Sequence, residues 1–345
     1  MDGGFSPIRR RRRYLGAVKR KVIRLAVGSA ATAAFLILFL REVDLGQAWR
    51  QIRELPGLTI LGALGLVLVN IVFMAVRWRI LLDGAGYRVS LRALFSSVCV
   101  GRGANNILPA RGGDLIRIES MRELARIPAF VTAGTLFAER LLDGVVLAAW
   151  IVLGAILLGQ GGALLLTGIA LSAGTALGVV LVALAARDPN RAERVVWRAT
   201  KRLPPRWHTR VARSAANFVE GLGSFTNLRR VLAVFGASTA MWLADVAMYA
   251  IVGRAFHLEL ETGGYFLLEG IGNLALAVPA TAAGIGSFDY LTLVAARGID
   301  VPEHSATAYV LTMHALTVLP VTVLGALLVR PALPRLFRGR GAEAA

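Results

Sequence analysis

The chain has 345 residues, of which 56% are hydrophobic and only 17% are charged, and its mean hydropathy is +0.62. A soluble domain is about half apolar and about a quarter charged, so this composition excludes an ordinary soluble enzyme. The formal net charge of +18 would suggest nucleic acid as the partner of a soluble protein. In a membrane protein it indicates Lys- and Arg-rich loops on the cytoplasmic side, and we expect no nucleic-acid partner.

The N-terminal region combines a basic arm, residues 1–24, with an apolar run at residues 25–40. A helix needs about 20 apolar residues to cross the hydrocarbon core, so each such run is interpreted as one span. Charged residues follow the first run where a small-residue cleavage site would be expected, which favours an uncleaved span over a signal peptide. A second span is predicted at residues 58–76. It ends at Arg77 and Arg79, which we interpret as its cytoplasmic flank.

The apolar stretch at residues 93–110 is interrupted by polar and helix-breaking residues, and charged residues follow it. The interrupting residues are Arg102, Gly103, Asn105, Asn106 and Pro109. The charged residues on both flanks are typical of cytoplasmic loops. We therefore predict a broken segment, 93–117, that enters the bilayer beside protein or water and returns to the side from which it came. A guanidinium suits phosphate, so Arg111 and Arg117 are candidate contacts for a lipid phosphate, with Asn105 and Asn106 beside them. For Arg117 the alternative is an ordinary positive-inside charge.

The run at residues 129–158, which begins after Pro128, carries three charged side chains at Glu139, Arg140 and Asp143. Glu139 and Asp143 share one helix face at i, i+4, and Arg140 can pair with Asp143 at i, i+3. A charge at the centre of a span costs about 2.5–3.5 kcal/mol on insertion scales, so three together imply pairing or a cavity. Two interpretations stand, a buried structural ion cluster and a direct contact with substrate.

Further spans are predicted at residues 162–186, 231–252 and 306–329. A basic cytoplasmic loop, residues 187–230, separates the first two, and we expect amphipathic helices in it at the membrane interface. A second broken segment, residues 264–298, lies between the last two. Its polar and backbone-breaking residues are Glu269, Asn273, Pro279, Gly284, Gly286 and Asp289.

These segments predict an all-α polytopic membrane protein with about six transmembrane helices. They form a single domain, residues 25–330, followed by a cytoplasmic tail, residues 331–345. The two broken segments, at 93–117 and 264–290, enter from opposite sides, and their correspondence suggests an inverted repeat. Substrate sites of transporters form where broken helices meet, which is the functional interpretation. The structural interpretation is a pair of kinked hairpins around a packed core.

The sequence contains no motif for a cofactor or for nucleophilic catalysis. Cys99 is the one cysteine, no Cys/His spacing suits a metal, and neither a Walker loop nor a nucleophile elbow is present. We therefore expect no metal, no cofactor and no catalytic residue. A membrane-embedded acid/base enzyme that uses Glu139, Asp143 and His314 stays open as an alternative.

Three groups of residues follow one another along the chain: Gly103-Ala-Asn-Asn-Ile-Leu-Pro109, Arg111-Gly-Gly-Asp-Leu-Ile-Arg117, and Glu139, Arg140 and Asp143. They resemble motifs of the lysylphosphatidylglycerol synthase transmembrane (flippase-like) family. Residues 279–286 resemble the second Pro/Gly-rich motif of that family. This segment departs from the pattern at Ala282 and Ala283, where Pro and Gly are expected, and at Asp289, where Glu is usual.

The resemblance implies a lipid flippase-like transporter of the bacterial cytoplasmic membrane that moves a phospholipid or a lipid-linked headgroup between leaflets. The basic residues at the two ends of the chain predict that both termini lie in the cytoplasm. Because the sequence ends at Ala345, soon after the last span, the resemblance also implies the transport half without an aminoacyl-transfer domain. The alternative is an accessory membrane subunit of a glycosyltransferase or of a lipid-modifying enzyme. The implied partners are anionic phospholipids or lipid-linked sugars, together with a second copy of the chain or a membrane enzyme.

The implicated residues form two sets. The predicted substrate contacts are Asn105, Asn106, Arg111, Asp114, Arg117, Glu139, Arg140, Asp143, Glu269, Asn273 and Asp289. The predicted backbone breaks are Pro109, Gly112, Gly113, Pro279, Gly284 and Gly286.

Overall fold

A computed structural model describes residues 34–41, 43–108, 112–277 and 282–329 of the chain. These residues form helices connected by turns, with no strand among them, which confirms the predicted all-α polytopic fold. Several predicted features lie outside the described residues. They are the basic arm 1–24, residues 25–33 of the predicted first span, Pro109, Arg111, Pro279 and the tail 331–345.

Five described helices are long and apolar enough to cross a membrane. They are α3 (Gly57–Gly84), α6 (Ala129–Leu157), α7 (Gly162–Arg187), α10 (Leu228–Ala255) and α13 (Glu303–Val329). Each matches a predicted span. Of the remaining predicted span, residues 25–40, the structure describes residues 34–40. They belong to a helix, residues 34–41, that we name α1. Exposed leucines along α7, such as Leu166 and Leu177, give that helix an apolar outer face that suits contact with lipid.

Helix α3 continues from the predicted end of its span at residue 76 to Gly84. Arg77 therefore lies inside the helix with its side chain fully buried, whereas Arg79 is half exposed and pairs with Asp83. The interpretation of Arg77 as a flanking charge is wrong, because buried carboxylates stabilise its guanidinium within the helix.

Three shorter helices are α2 (Leu45–Arg53), α8 (Pro189–Thr200) and α9 (Pro205–Glu220). Asp44 caps α2 by accepting a hydrogen bond from the Gln47 amide (3.0 Å). Both α8 and α9 begin with proline and are strongly amphipathic, which confirms the amphipathic helices predicted in the basic loop. The indole of Trp197 packs edge-on against the imidazole of His208 and connects α8 to α9.

Both predicted broken segments form helical hairpins. The first hairpin consists of α4 (Leu91–Ile107) and α5 (Gly112–Ala125). The second consists of α11 (Thr262–Ala277), a 3₁₀ turn (Ala282–Gly284) and α12 (Ser287–Arg297). In each hairpin the two helices pack against each other, so neither segment continues as one straight helix.

The first hairpin packs along α13 from the carboxyl end of that helix. The carbonyl of Cys99 lies against Gly325, near that end. Closer to the tip, Asn106 donates to the Val318 carbonyl (3.3 Å) and to Thr322 Oγ1 (2.8 Å). As α4 advances, its partners on α13 move back toward the middle of that helix, so the two helices are antiparallel.

The second hairpin approaches α13 from the opposite end. Arg297, at the end of α12, donates to Glu303 at the start of α13 (2.7 Å). The turn before α12 reaches the middle of α13, where His314 contacts the Ala283 carbonyl (2.9 Å). Since α4 also packs against the 3₁₀ turn, the two tips meet beside the middle of α13. Pro320, which lacks an N–H and interrupts the helix hydrogen bonds, lies in the same region of α13.

The order span, hairpin, span occurs twice along the chain: α3, first hairpin, α6, and then α10, second hairpin, α13. Helix α3 packs on α10, and each hairpin packs on the last span of the other set, α4 on α13 and α11 on α6. Glycines allow these close approaches, because Gly103 faces α13 and Gly270 faces α6. This reciprocal packing, in which each hairpin contacts the last span of the other set, is the arrangement expected of an inverted repeat.

Candidate functional site

Buried charged side chains bind the first hairpin to the spans. Arg117 of α5 donates through Nη1 and Nη2 to the two carboxylate oxygens of Glu139 on α6, at 3.0 and 3.1 Å. Both side chains are only 1% exposed. The guanidinium of Arg117 also stacks 3.9 Å from the ring centre of Trp78 on α3. A two-point, desolvated pair of this kind fixes α5 against α6 in one geometry.

Arg77 of α3 connects the two acidic residues of α6. Its Nη1 donates to Asp143 Oδ1 (2.5 Å) and to Ser238 Oγ (3.2 Å), and its Nη2 lies 3.7 Å from Glu139 Oε2. Trp242 Nε1 also donates to Asp143 Oδ1 (3.1 Å). These contacts confirm that Glu139 and Asp143 share one helix face, and they bring α3, α6 and α10 together.

Arg140 completes the group on its more exposed side. It donates to both carboxylate oxygens of Asp114 (3.2 and 3.3 Å) and lies 3.8 Å from Asp143, the partner predicted from the i, i+3 spacing. The resulting ionic chain alternates in sign and consists, in order, of Asp114, Arg140, Asp143, Arg77, Glu139 and Arg117. Its side chains are buried around Arg77, whereas Arg140 is 38% exposed. A ligand can therefore meet Arg140 without breaking the buried pairs.

Asn105 closes the tip of the first hairpin. Its Oδ1 accepts from the Gly113 amide (2.8 Å), and its Nδ2 donates to Asp114 (3.1 Å). Gly113 lies so close to the Gly101 carbonyl that a Cβ would not fit. Gly112 and Gly113 are helical residues of α5 and not the break itself. Because Gly113 has no side chain, α4 can approach α5 closely.

His314 of α13 holds the turn of the second hairpin. Its Nδ1 lies 2.7 Å from Asp289 Oδ1, and its Nε2 lies 2.9 Å from the Ala283 carbonyl. The other oxygen of Asp289 accepts from the Gly286 amide (2.9 Å). Gly284 and Gly286 have φ angles of 75° and 82°, which glycine adopts without strain, so the backbone turns at both. Ala283 also has a positive φ, of 54°.

Arg102 of α4 belongs to a further buried polar group. Its Nη1 donates to Asn70 Oδ1 (3.1 Å) and lies 3.0 Å from Met74 Sδ, both on α3. Asn70 in turn donates to the Met241 carbonyl on α10 (3.3 Å). Asp245, one turn further along α10, is buried and interacts electrostatically with Arg102. The first hairpin is thus connected to α3 and α10 as well as to α6.

The described residues that were predicted as substrate contacts fall into three groups. The ionic chain contains Asp114, Arg117, Glu139, Arg140 and Asp143, and Asn105 at the first tip bonds to its Asp114 end, with Asn106 beside it. Asp289 lies at the second tip with His314. Glu269 and Asn273 are one turn apart on α11 and bond to each other (3.1 Å).

Three charged participants were not predicted from the sequence: Arg77, Arg102 and Asp245. Arg77 follows an apolar run and therefore resembles a flanking charge. A signal was nevertheless present, because Asn70 and Arg77 are seven residues apart and lie on one helix face. Among the described residues, no three His, Cys, Asp or Glu side chains are grouped so that they could hold a metal ion.

Two comparisons with known proteins identify relatives of this chain. The profile of the family described as lysylphosphatidylglycerol synthase TM region matches residues 22–325. The chain is also similar to Glycosyltransferase AglD of Haloferax volcanii, with 25% identity over 325 residues. That match covers 84% of this chain and 51% of the other protein, so the chain spans about half the length of this curated relative. Since this profile covers residues 22–325 of the 345, this multi-pass membrane protein belongs to the lysylphosphatidylglycerol synthase TM region family.

Proposed function

We propose that the protein is a lipid translocase that moves an anionic phospholipid or a lipid-linked headgroup between the leaflets of a bacterial cytoplasmic membrane. The observation that carries the proposal is the meeting of two hairpins, from opposite ends, beside the middle of α13. Hairpin tips that meet in this way bring polar groups to the middle of the bilayer, where substrate sites of transporters form. A headgroup that passed between the tips would leave one leaflet and enter the other.

In this proposal the headgroup contacts polar side chains that are only partly buried. Arg140, Asn105 and Asn106 meet that condition, and a guanidinium suits a phosphate group. Arg111 stays a predicted contact. Arg117 and Glu139 are buried and bond to each other, so we assign them to holding α5 on α6 rather than to contact with lipid.

The distribution of charge supports an orientation. The first hairpin enters at the end of the molecule where α8 and α9 connect α7 to α10, and these helices are rich in arginine. Lys and Arg accumulate in cytoplasmic loops. We therefore assign this end and both termini to the cytoplasm, and the entrance of the second hairpin to the outer side.

A second candidate is an accessory membrane subunit of a glycosyltransferase or of another lipid-modifying enzyme. The similarity to about half of a protein named as a glycosyltransferase favours it. Co-purification of a membrane enzyme in mild detergent would support this candidate. An acid/base enzyme has less support, because His314 pairs with Asp289 whereas Glu139 and Asp143 pair with arginines.

The test is the movement of fluorescent phospholipids and of a lipid-linked sugar in proteoliposomes, measured by chemical quenching of the outer leaflet. We expect the wild type to move at least one of these lipids much faster than protein-free vesicles do. Arg140→Ala should lower that rate several-fold, because a phosphate would lose a charge-assisted contact.

Arg79→Ala is the matched control, since Arg79 is 53% exposed on α3 and forms an ordinary surface pair with Asp83. Equal rates for folded Arg140→Ala and Arg79→Ala proteins would contradict the proposed contact. A wild type that moves none of these lipids would contradict the translocase itself.

A further inference from the structure

Glu269 of α11 is a fully buried acidic residue in the second hairpin. Its Oε1 accepts from Asn273 Nδ2 (3.1 Å), and its Oε2 has no hydrogen-bond partner among the described residues. Each carboxylate of the ionic chain, by contrast, pairs with at least one arginine. Within the described part of the chain, Glu269 forms no ion pair with an arginine, lysine or histidine.

The charged groups that reach Glu269 have its own sign. Asp143 on α6 and Asp245 on α10 interact with it electrostatically, and the cations nearby are already engaged, since Arg77 and Arg140 pair with Asp143 and Arg102 acts on Asp245. On α12, Asp289 is already paired with His314 of α13. An ionised carboxylate without a cation is far less stable in a water-excluding interior than the neutral acid. These surroundings therefore favour Glu269 with a proton bound.

Two buried hydroxyl groups lie on the same side of α11. Tyr249 Oη and Thr292 Oγ1 are buried, and neither has a hydrogen-bond partner among the described residues. They lie 2.9 and 3.2 Å from the position that a Cβ on Gly272 would take. Gly272 follows Glu269 by three residues, so both are on one face of α11. A hydroxyl both donates and accepts, and neither group is hydrogen-bonded to Glu269 here, so each would pass a proton to or from it only when water or a small movement closes the gap.

The packing at this place favours a proton over a metal ion. A ring carbon of Phe288 also lies 2.9 Å from the same Cβ position on Gly272. A metal ion would need several oxygen ligands around it, whereas a proton needs no coordination shell.

We propose that Glu269 binds a coupling proton, an inference that rests on the proposed lipid translocation and extends it to the energy source. The neutral acid is enclosed while the second hairpin packs on α6 and α10. When the hairpin separates, the carboxyl group meets water, transfers its proton to it and becomes an anion. The hairpin closes again only after a proton has returned from the water on the opposite side of the membrane, so each cycle carries one proton across and a pH gradient drives lipid movement in one direction.

The first test examines the carboxyl group independently of transport. The purified protein in detergent at neutral pH is expected to show the infrared C=O band of a protonated carboxylic acid. Glu269→Gln should remove this band and Glu269→Asp, which keeps the acid, should shift it. Glu123→Gln, a change at an exposed residue of α5, is the matched control and should preserve it. A band that keeps its full intensity and position in both Glu269 variants overturns the proposal.

The second test measures lipid movement in proteoliposomes under pH gradients of either sign, with equal sodium on both sides. The wild type should be several-fold faster under one gradient than under the other. Glu269→Gln, which resembles the neutral acid, should lose this difference. A wild type that ignores the pH gradient, or that responds to a sodium gradient instead, overturns the proton assignment. If the wild type moves no lipid under any condition, the proposed function fails, and the infrared band still decides whether Glu269 holds a proton.

Discussion

Arg117 and Glu139 face each other through two hydrogen bonds, of 3.0 and 3.1 Å, across the contact between the first hairpin and α6. Both side chains are excluded from solvent. A buried ion pair adds little stability relative to a hydrophobic pair, but the loss of one partner leaves the other charge uncompensated. The pair therefore makes the position of α5 depend on a single carboxylate of α6.

Glu139→Gln is expected to lower the free energy of unfolding by about 3–5 kcal/mol, because Arg117 and Arg77 lose their shared partner in a low-dielectric interior. Asp83→Asn interrupts the exposed pair with Arg79 (3.8 Å) and should change stability by less than about 1 kcal/mol. Unfolding in detergent, followed by tryptophan fluorescence, compares the two variants. Equal losses would mean that the buried pair is no more important than a surface contact.

Gly113→Ala is expected to destabilise the protein by about 1–3 kcal/mol, because the new methyl group would collide with the Gly101 carbonyl and force α4 and α5 apart. Gly174→Ala, in an exposed turn of α7 with open space around it, should instead add up to about 1 kcal/mol through helix propensity. The same unfolding measurement distinguishes them. A neutral result for Gly113→Ala would be incompatible with the close packing of the first hairpin.

Ala283→Gly is expected to stabilise the second hairpin by up to about 1 kcal/mol, because a left-handed conformation strains residues that carry a Cβ. The φ of Ala283 is 54°, and the resemblance described above leads us to expect glycine at this position. Ala173→Gly, on the exposed side of α7, should lower stability by a similar amount. Two variants that shift the unfolding midpoint in the same direction would contradict the assigned backbone conformation.

Cysteine labelling tests the directions from which the hairpins enter. In a background without Cys99, single cysteines at Arg92 and Arg126 should react with an impermeant maleimide from one side of sealed vesicles. Cysteines at Glu261 and Asp300 should react from the other side. All four positions are exposed at the ends of the hairpins. If the two ends of either hairpin reacted from different sides, that segment would cross the membrane and the tips could not meet as described.

Both hairpins could be predicted from the sequence because Asn, Gly and Pro inside an apolar run disfavour a continuous helix. The local pair of Arg140 with Asp143 could also be predicted, since i, i+3 spacing places the two side chains together. The pair of Arg77 with Asp143 was not, because 66 positions separate them and only the packing of α3 on α6 brings them into contact. Local patterns identify which charges need a partner, and the tertiary fold decides which partner each one finds.

Pro320 leaves the Leu316 carbonyl without its usual helix hydrogen bond, so α13 has a preferred point of flexure. His314, which holds the second hairpin, precedes this point, and Thr322, which holds the first, follows it. The bond from Asn106 to the Val318 carbonyl lies at the flexure itself, so a change in the angle between the halves acts directly on the tip of the first hairpin. Bending at Pro320 therefore changes how the two tips face each other, while contacts further from it, such as that of Cys99 with Gly325, stay in place.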